Sequence, residues 1–267
     1  MTAAATSFDA KRCGALLGTR YIGRSLTALA ETGSTMDDAR AAADEGADDG
    51  HVVLADHQTS GRGSHGRGWS SPPGSDLYFS VVLRPTLELS DLPPLTLAVG
   101  LAVANTLADT LAVSTPEASV RIKWPNDVFV NGKKCAGVLV ETRSGGLEPN
   151  AVIVGVGLNV NRSSFDPELA AESTSLTQVA STLFDREALL ARLLAALEHE
   201  VTRFVDAGPA AIVRDVEARL LHRGERVDVD GRTGTLLGVD PDGALRLEDS
   251  DGVVRRLLSG RVRPIGA

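Results

Sequence analysis

Between Val120 and Thr142 the chain reads VRIKWPNDVFVNGKKCAGVLVET. Two runs rich in β-branched residues flank Asn131-Gly132, a dipeptide suited to the two positive φ angles of a tight hairpin turn. A hairpin there commits the middle of the chain to an antiparallel sheet. Other segments have the same texture. HVVLADH (His51 to His57) and DLYFSVVLRP (Asp76 to Pro85) are short and rich in β-formers, and AVIVGVGLNVN (Ala151 to Asn161) reads as a further buried strand. Helical patterns stand between them. Ser34 followed by Asp37 has the form of a capping box ahead of an alanine-rich helix over Thr35 to Glu45. Pro93 and Pro94 precede an apolar helix over Leu95 to Leu111, where proline is tolerated in the first turn. Asp185 opens a helix with leucines at helical spacing that reaches Val205, and a shorter one covers Ala210 to Leu221.

After His222 the texture changes. Short strands are split by Asp230-Gly231, Asp242-Gly243 and Asp251-Gly252, the pattern of a small antiparallel barrel. Two units are therefore expected, residues 1–221 and 222–267. The alanine- and glycine-rich extreme N-terminus is expected to fray.

Charge narrows the function. The net charge is −8 over 267 residues, which disfavours a broad nucleic-acid-binding face. Basic residues cluster locally instead, at Arg62 and Arg67 and again at Arg121, Lys123, Lys133 and Lys134, which suits a small anionic ligand. Cys13 and Cys135 have no metal spacing and no disulfide framework, as in a cytoplasmic protein with reduced thiols. The N-terminus lacks the apolar run of a signal peptide, and the longest apolar run, Leu97 to Ala104, is too short to span a bilayer, so no membrane partner is expected.

Three clusters carry chemistry. SGRGSHGRGWSSPPG, Ser60 to Gly74, puts five glycines and two arginines into one loop, the make-up of a mobile anion clamp or of a solvated loop. It contains G-x-G-x-x-G at Gly61, Gly63 and Gly66, but Ser70-Ser71-Pro72-Pro73 prevents the prompt helix that a dinucleotide fold needs, and no P-loop lysine follows. Lys123 to Gly137 gathers lysines, Asn126 and Asp127 at a strand end. Lys133 and Lys134 are neighbours on one strand and point to opposite faces, Lys134 with Ala136 and Val138, Lys133 with Cys135 and Gly137. GVGLNVN, Gly155 to Asn161, interrupts a strand with glycines, either for close approach of a ligand or for sheet packing.

Taken together, STMDDA, QTSGRGSHGRGWSSPPG, LYFSVVLRP, KWPNDVFVNGKKCAGVLVE and GVGLNVN resemble the biotin protein ligase family in order and spacing, over about Glu31 to Pro264. The resemblance implies an α+β fold: a catalytic domain like that of class II aminoacyl-tRNA synthetases, with a mixed sheet, followed by an SH3-like barrel. It implies biotin and ATP as substrates with Mg²⁺, biotinyl-5′-AMP as intermediate, and a lysine of the biotin carboxyl carrier domain of an acyl-CoA carboxylase as acceptor. The family's residues fall on Ser34, Thr35, Gln58, Gly61, Arg62, Gly63, Ser64 and Lys134 for biotin, and on Arg67, Trp69, Trp124, Asn126, Gly157 and Asn159 for the adenylate. Lys134, Arg62, Arg67 and Asp127 are the expected catalytic residues, Asp127 as the group that orients or deprotonates the acceptor amine. No residue is assigned as a metal ligand. Met36 stands where the family has asparagine, and Ser64 and His65 where it has arginines. The catalytic motifs begin about thirty residues in, which leaves no room ahead of them for a helix-turn-helix, so no DNA partner is expected. Lipoate or octanoate attachment on the same scaffold, and a non-catalytic biotin-binding module, are the competing readings.

Overall fold

A computed structural model describes residues 8–144 and 149–266. The expected fraying falls on residues 1–7, outside the described residues. The chain then forms α1 (Ala10–Leu16), β1 (Leu26–Thr32), α2 (Thr35–Asp44), β2 (Val52–Gln58), β3 (Leu77–Leu83), α3 (Leu92–Leu111), β4 (Val120–Lys123), β5 (Asp127–Val130), β6 (Lys133–Ser144) and β7 (Pro149–Leu158). Four helices follow, α4 (Pro167–Ala170), α5 (Leu176–Ala180), α6 (Arg186–Ala207) and α7 (Ala210–Arg219). The last strands are β8 (Arg226–Val229), β9 (Arg232–Val239), β10 (Leu245–Glu248), β11 (Val254–Leu257) and β12 (Val262–Pro264). Neither α1 nor β1 stands out in the sequence; β1 alternates weakly and is half-exposed at the sheet edge.

The first sheet runs β1-β2-β3-β7-β6-β5-β4. It is mixed, because β1 pairs parallel with β2 and the rest are antiparallel. Strand alternation assigns its faces. Val52, Leu54, Val81, Leu83 and Val154 turn toward α3 and α6, whereas Val53, Val82 and Ile153 join Met36, Ala39 and Ala43 of α2. A strand covered on both sides loses its polar residues, which is why β3 is buried throughout. Asn131 and Gly132 take φ of 49° and 79°, the mirror-image turn that their dipeptide foretold.

Helix α3 starts at Leu92, so both prolines lie inside its first turn. At 20 residues and a mean hydropathy of 1.3 it has the length and composition of a membrane span, unlike the shorter run read from the sequence. It is the central core helix, with 78% of that stretch buried.

The second sheet, β11-β10-β9-β8-β12, is antiparallel throughout, as expected of the small C-terminal barrel. Its inner residues Val227, Val229, Leu236 and Leu247 belong to the same continuous core as α3. Trp124 fixes the junction, its indole Nε1 donating to the Gly243 carbonyl at 2.9 Å. Glu217 of α7 adds a bond from Val239 N at 3.1 Å and one from Arg246 at 2.8 Å.

Both cysteines are fully buried. Burial pushes the Cys13 thiol up to about 11 and raises that of Cys135 further, so reactive thiolate is scarce near neutral pH. A thiol reagent at pH 7.5 is expected to titrate neither in the native protein and both in denaturant. Rapid native labelling would show the core to be open.

Candidate active site

The central geometry comes from one irregularity in β6. Val128 pairs with Ala136, but the next residue of β5, Phe129, pairs with Lys134. Cys135 is thus an extra residue, a β-bulge, and it reverses the alternation beyond it. Strict alternation put Lys134 on the face of Ala136 and Val138. The structure corrects this: those two lie in the core, and Lys134 shares a face with Gly137, the cross-strand partner of Asp127. Lys134 Nζ reaches Asp127 Oδ1 at 2.7 Å. Lys133 points away and donates to the Ala170 carbonyl at 3.1 Å on the exposed side.

The glycine loop folds over this pair. Gly63 N donates to Arg67 O and Trp69 N to Gly61 O, each at 2.8 Å, making the loop a small hairpin with a single 3₁₀ turn at Ser64–Gly66. Trp69 lands with its ring centroid 5.1 Å from Lys134 Nζ. A Cβ at Gly157 would stand 2.4 Å from that indole and one at Gly137 2.9 Å, so both glycines exist to admit it. Gly155 plays the same part for Met36, whose Sδ would lie 2.5 Å from an added Cβ.

Two recesses meet at Lys134, Asp127, Asn126 and Trp69. The smaller is a slot lined by Ser34, Thr35, Met36, Gln58, Gly155 and Leu139, among others. Gln58 Oε1 accepts from Thr35 N at 2.9 Å while its Nε2 donates to Ser71 Oγ at 2.9 Å, tying α2 to the loop. Ser34 does not cap α2 as its spacing suggested: its side chain makes no capping bond, and Asp37 pairs with Arg40 and Arg62 instead of closing the box. Ser34 Oγ and Trp69 Nε1 are both buried without a hydrogen-bond partner in the protein, and both line the slot. Such atoms are costly unless a ligand satisfies them.

The larger recess, about 460 Å³, opens toward the C-terminal sheet and is lined by Arg67, Lys123, Trp124, Arg162, Phe165 and Arg261, among others. Gly63 and Ser64 border both recesses. Asn126 donates to Val138 O at 2.8 Å and Asn159 to Thr174 O at 3.0 Å, so their amide nitrogens already hold the framework. Arg67 turns back on Ser64, at 3.4 Å. Arg62 reaches Asp37 Oδ1 at 2.9 Å and Glu141 Oε2 at 3.5 Å, so in this conformation its charge serves to hold the loop down.

Arg162, Asp76 and Tyr78 carried no signal in the sequence. Arg162 donates to Asp76 Oδ2 at 2.8 Å, to Ser70 O at 2.8 Å and to Tyr78 Oη at 3.1 Å, and Tyr78 Oη donates to Pro72 O at 3.0 Å. This buried network clamps the C-terminal foot of the glycine loop. Its members are 84 and 86 residues apart, so no local pattern could pair them.

Residues 33–159 match the model of the biotin/lipoate A/B protein ligase family. A biotin–[acetyl-CoA-carboxylase] ligase of Mycobacterium tuberculosis is 40% identical over 221 residues, covering 80% of this chain and 78% of that protein. The chain belongs to the biotin protein ligase family. A bifunctional ligase/repressor BirA of Bacillus subtilis is 33% identical, over 89% of this chain and 73% of that protein. Among solved structures, biotin protein ligase from Aquifex aeolicus in complex with biotin and ATP superposes with a TM-score of 0.78 at 30% identity, covering 90% of this chain and 98% of that one. The mixed sheet with its C-terminal antiparallel unit is thus the ligase fold.

In this ligase fold the slot holds about 40 Å³ with Trp69 seated, room for a few waters at most. Anything larger enters only if the glycine loop yields. Trypsin is therefore expected to cut the ligand-free protein at Arg62 or Arg67, Arg67 first because Arg62 is held by two carboxylates. Biotin with ATP is expected to slow the cut several-fold. Equal cleavage with and without them would count against the loop as a lid.

Proposed function

We propose that this chain is a biotin–[acetyl-CoA-carboxylase] ligase. In this reading it joins biotin to the α-phosphate of ATP and then passes the biotinyl group to a lysine of a biotin carboxyl carrier domain. The observation that carries it is the Lys134–Asp127 pair, 2.7 Å apart, at the meeting point of a slot with two unpartnered buried polar atoms and a basic pocket.

The slot takes biotin, with Ser34 Oγ and the Thr35–Gln58 pair facing its ureido ring and its carboxylate at the junction. The basic pocket takes the nucleotide, bordered by Arg67, Trp69, Trp124, Asn126 and Asn159, while Gly157 lines the slot beneath the Trp69 indole. A carboxylate oxygen attacks the α-phosphorus, the bond to the bridging oxygen breaks, and pyrophosphate leaves with the electron pair. Lys134 sits where negative charge builds on both partners, and a fixed cation there lowers the barrier without reorganising. Trp69 and the loop exclude water from the mixed anhydride. In the second step the acceptor amine attacks the carbonyl, AMP departs, and the amine's proton passes toward Asp127. Asp127 orients that amine with the oxygen that Lys134 does not hold.

Mg²⁺ would supply charge neutralisation on the triphosphate. Among the described residues no three His, Cys, Asp or Glu side chains cluster as a ready-made metal site. The pocket's carboxylates are Asp127, Glu172 and Asp230. An ion carried in on phosphate oxygens needs only one or two such ligands, so the residues fit a nucleotide-borne Mg²⁺.

The test is a reaction of the protein with biotin, ATP and a carrier domain, followed by mass spectrometry of the acceptor lysine. Biotinylation that depends on ATP and on the acceptor lysine is expected. Binding of biotin without any product would leave only the sequestering module.

A further inference from the structure

Lys123 has no role in the chemistry above, yet its position is unusual. It is the cross-strand partner of Asp127 in the β4–β5 register, and so shares the face that carries Phe129 and Lys134. Its Nζ lies 5.1 Å from the Phe129 centroid. Lys123 lines the basic pocket but not the slot, whereas Lys134 lines both. Arg261 enters the same pocket from the C-terminal sheet, carried between Gly260 and Val262. Its backbone N is held by Asp230 Oδ2 at 3.2 Å, while its guanidinium is about half exposed and reaches a carboxylate, Glu172, only at 4.0 Å.

Of the pocket's other cations, Arg67 turns back on Ser64, and the remaining two are paired with carboxylates. Lys134 has Asp127 and Arg162 has Asp76, each at 2.7 Å. Among the described residues Lys123 has no ion-pair partner, and Arg261 has only its distant glutamate. Burial weakens the hold of Lys123 on its proton; Asp127 opposes that shift, and Arg261 adds to it. An array of this kind favours a multivalent anion that bridges both.

We propose that Lys123 and Arg261 clamp the pyrophosphate that leaves as the acyl-adenylate forms. The assignment rests on the ligase reading. The α-phosphate must lie at the junction, beside Lys134, for the carboxylate to reach it. The two remaining phosphates then extend away from the slot, into the part of the pocket that Lys123 and Arg261 border. The bond that breaks joins the α-phosphorus to the bridging oxygen, and the clamp receives the charge released there without any proton transfer. The C-terminal sheet thereby supplies one jaw of the adenylation site.

The experiment uses the whole chain with Lys123→Gln, Lys123→Arg and Arg261→Gln, each checked for an unchanged melting curve. Adenylate formation from biotin and ATP is expected to fall about 100-fold in Lys123→Gln, with partial rescue in Lys123→Arg, and roughly tenfold in the half-exposed Arg261→Gln. Inorganic pyrophosphate, titrated by calorimetry, is expected to bind both glutamine variants more weakly than wild type. Transfer from preformed biotinyl-5′-AMP to a carrier lysine is expected to fall far less than adenylation. Equal loss in both half-reactions, or unchanged pyrophosphate binding, would overturn the clamp. If Lys123→Gln does not fold, Arg261→Gln, altered at an exposed turn, decides the matter by the same comparison. If wild type makes no adenylate, the ligase reading fails, and the pyrophosphate titration still tests the clamp by itself.

Discussion

Lys134→Ala is expected to lower adenylate formation by roughly 10²–10³-fold, the loss typical when a fixed donor to a charged transition state is removed. Lys133→Ala is expected to stay near wild type. The two lysines are neighbours, but the bulge at Cys135 turns Lys134 into the site and leaves Lys133 on the surface against Ala170. Lys134 is three-quarters buried beside Asp127 and under Trp69, where its charge is poorly screened by solvent. Removing it also strands Asp127, so the transfer step should suffer as well. Single-turnover measurement of biotinyl-5′-AMP, with each variant checked for folding, separates the outcomes. A crippled Lys133→Ala, or two variants near wild type, would place the bulge in the wrong register.

Arg162→Met is expected to cost about 3–5 kcal/mol of stability, because it leaves the buried Asp76 carboxylate without its counter-ion. For a chain of this size that is a drop in melting temperature on the order of 10 °C. The double change Arg162→Met with Asp76→Asn is expected to recover part of the loss, since no unpaired charge then remains. The single variant should also loosen the loop, because Arg162 holds Ser70 O and, through Tyr78, Pro72 O. Faster tryptic cleavage at Arg67 would report that. A melting temperature within a degree of wild type would mean the network bears no load.

The sequence was most legible where one local rule decides structure. Asn131-Gly132 made its turn, Asp185 caps α6 through a bond from Ala188 N, and the aspartate-glycine pairs separate the C-terminal strands. The glycines of β7 read equally as places of close approach or of sheet packing, and nothing local says that the Trp69 and Met36 side chains are what approach them. Legibility failed where two rules compete. Strand alternation gave Lys134 the wrong companions because a bulge costs one residue and leaves no mark in composition. Ser34 looked like a cap, yet its hydroxyl is withheld from the helix and faces the slot. Arg162 and Asp76, and the reach of Arg261 into the pocket, depend on contacts between distant parts of the chain, which no window of sequence contains.

In the ligase reading this site activates biotin with ATP. Exchange of labelled pyrophosphate into ATP tests it most directly, because it needs only the first step and no acceptor. Exchange is expected to require biotin, to be absent with lipoate or octanoate, and to fall in Lys134→Ala. Exchange supported equally by lipoate, or none with biotin while the protein still binds it, would rule out biotin activation at this site.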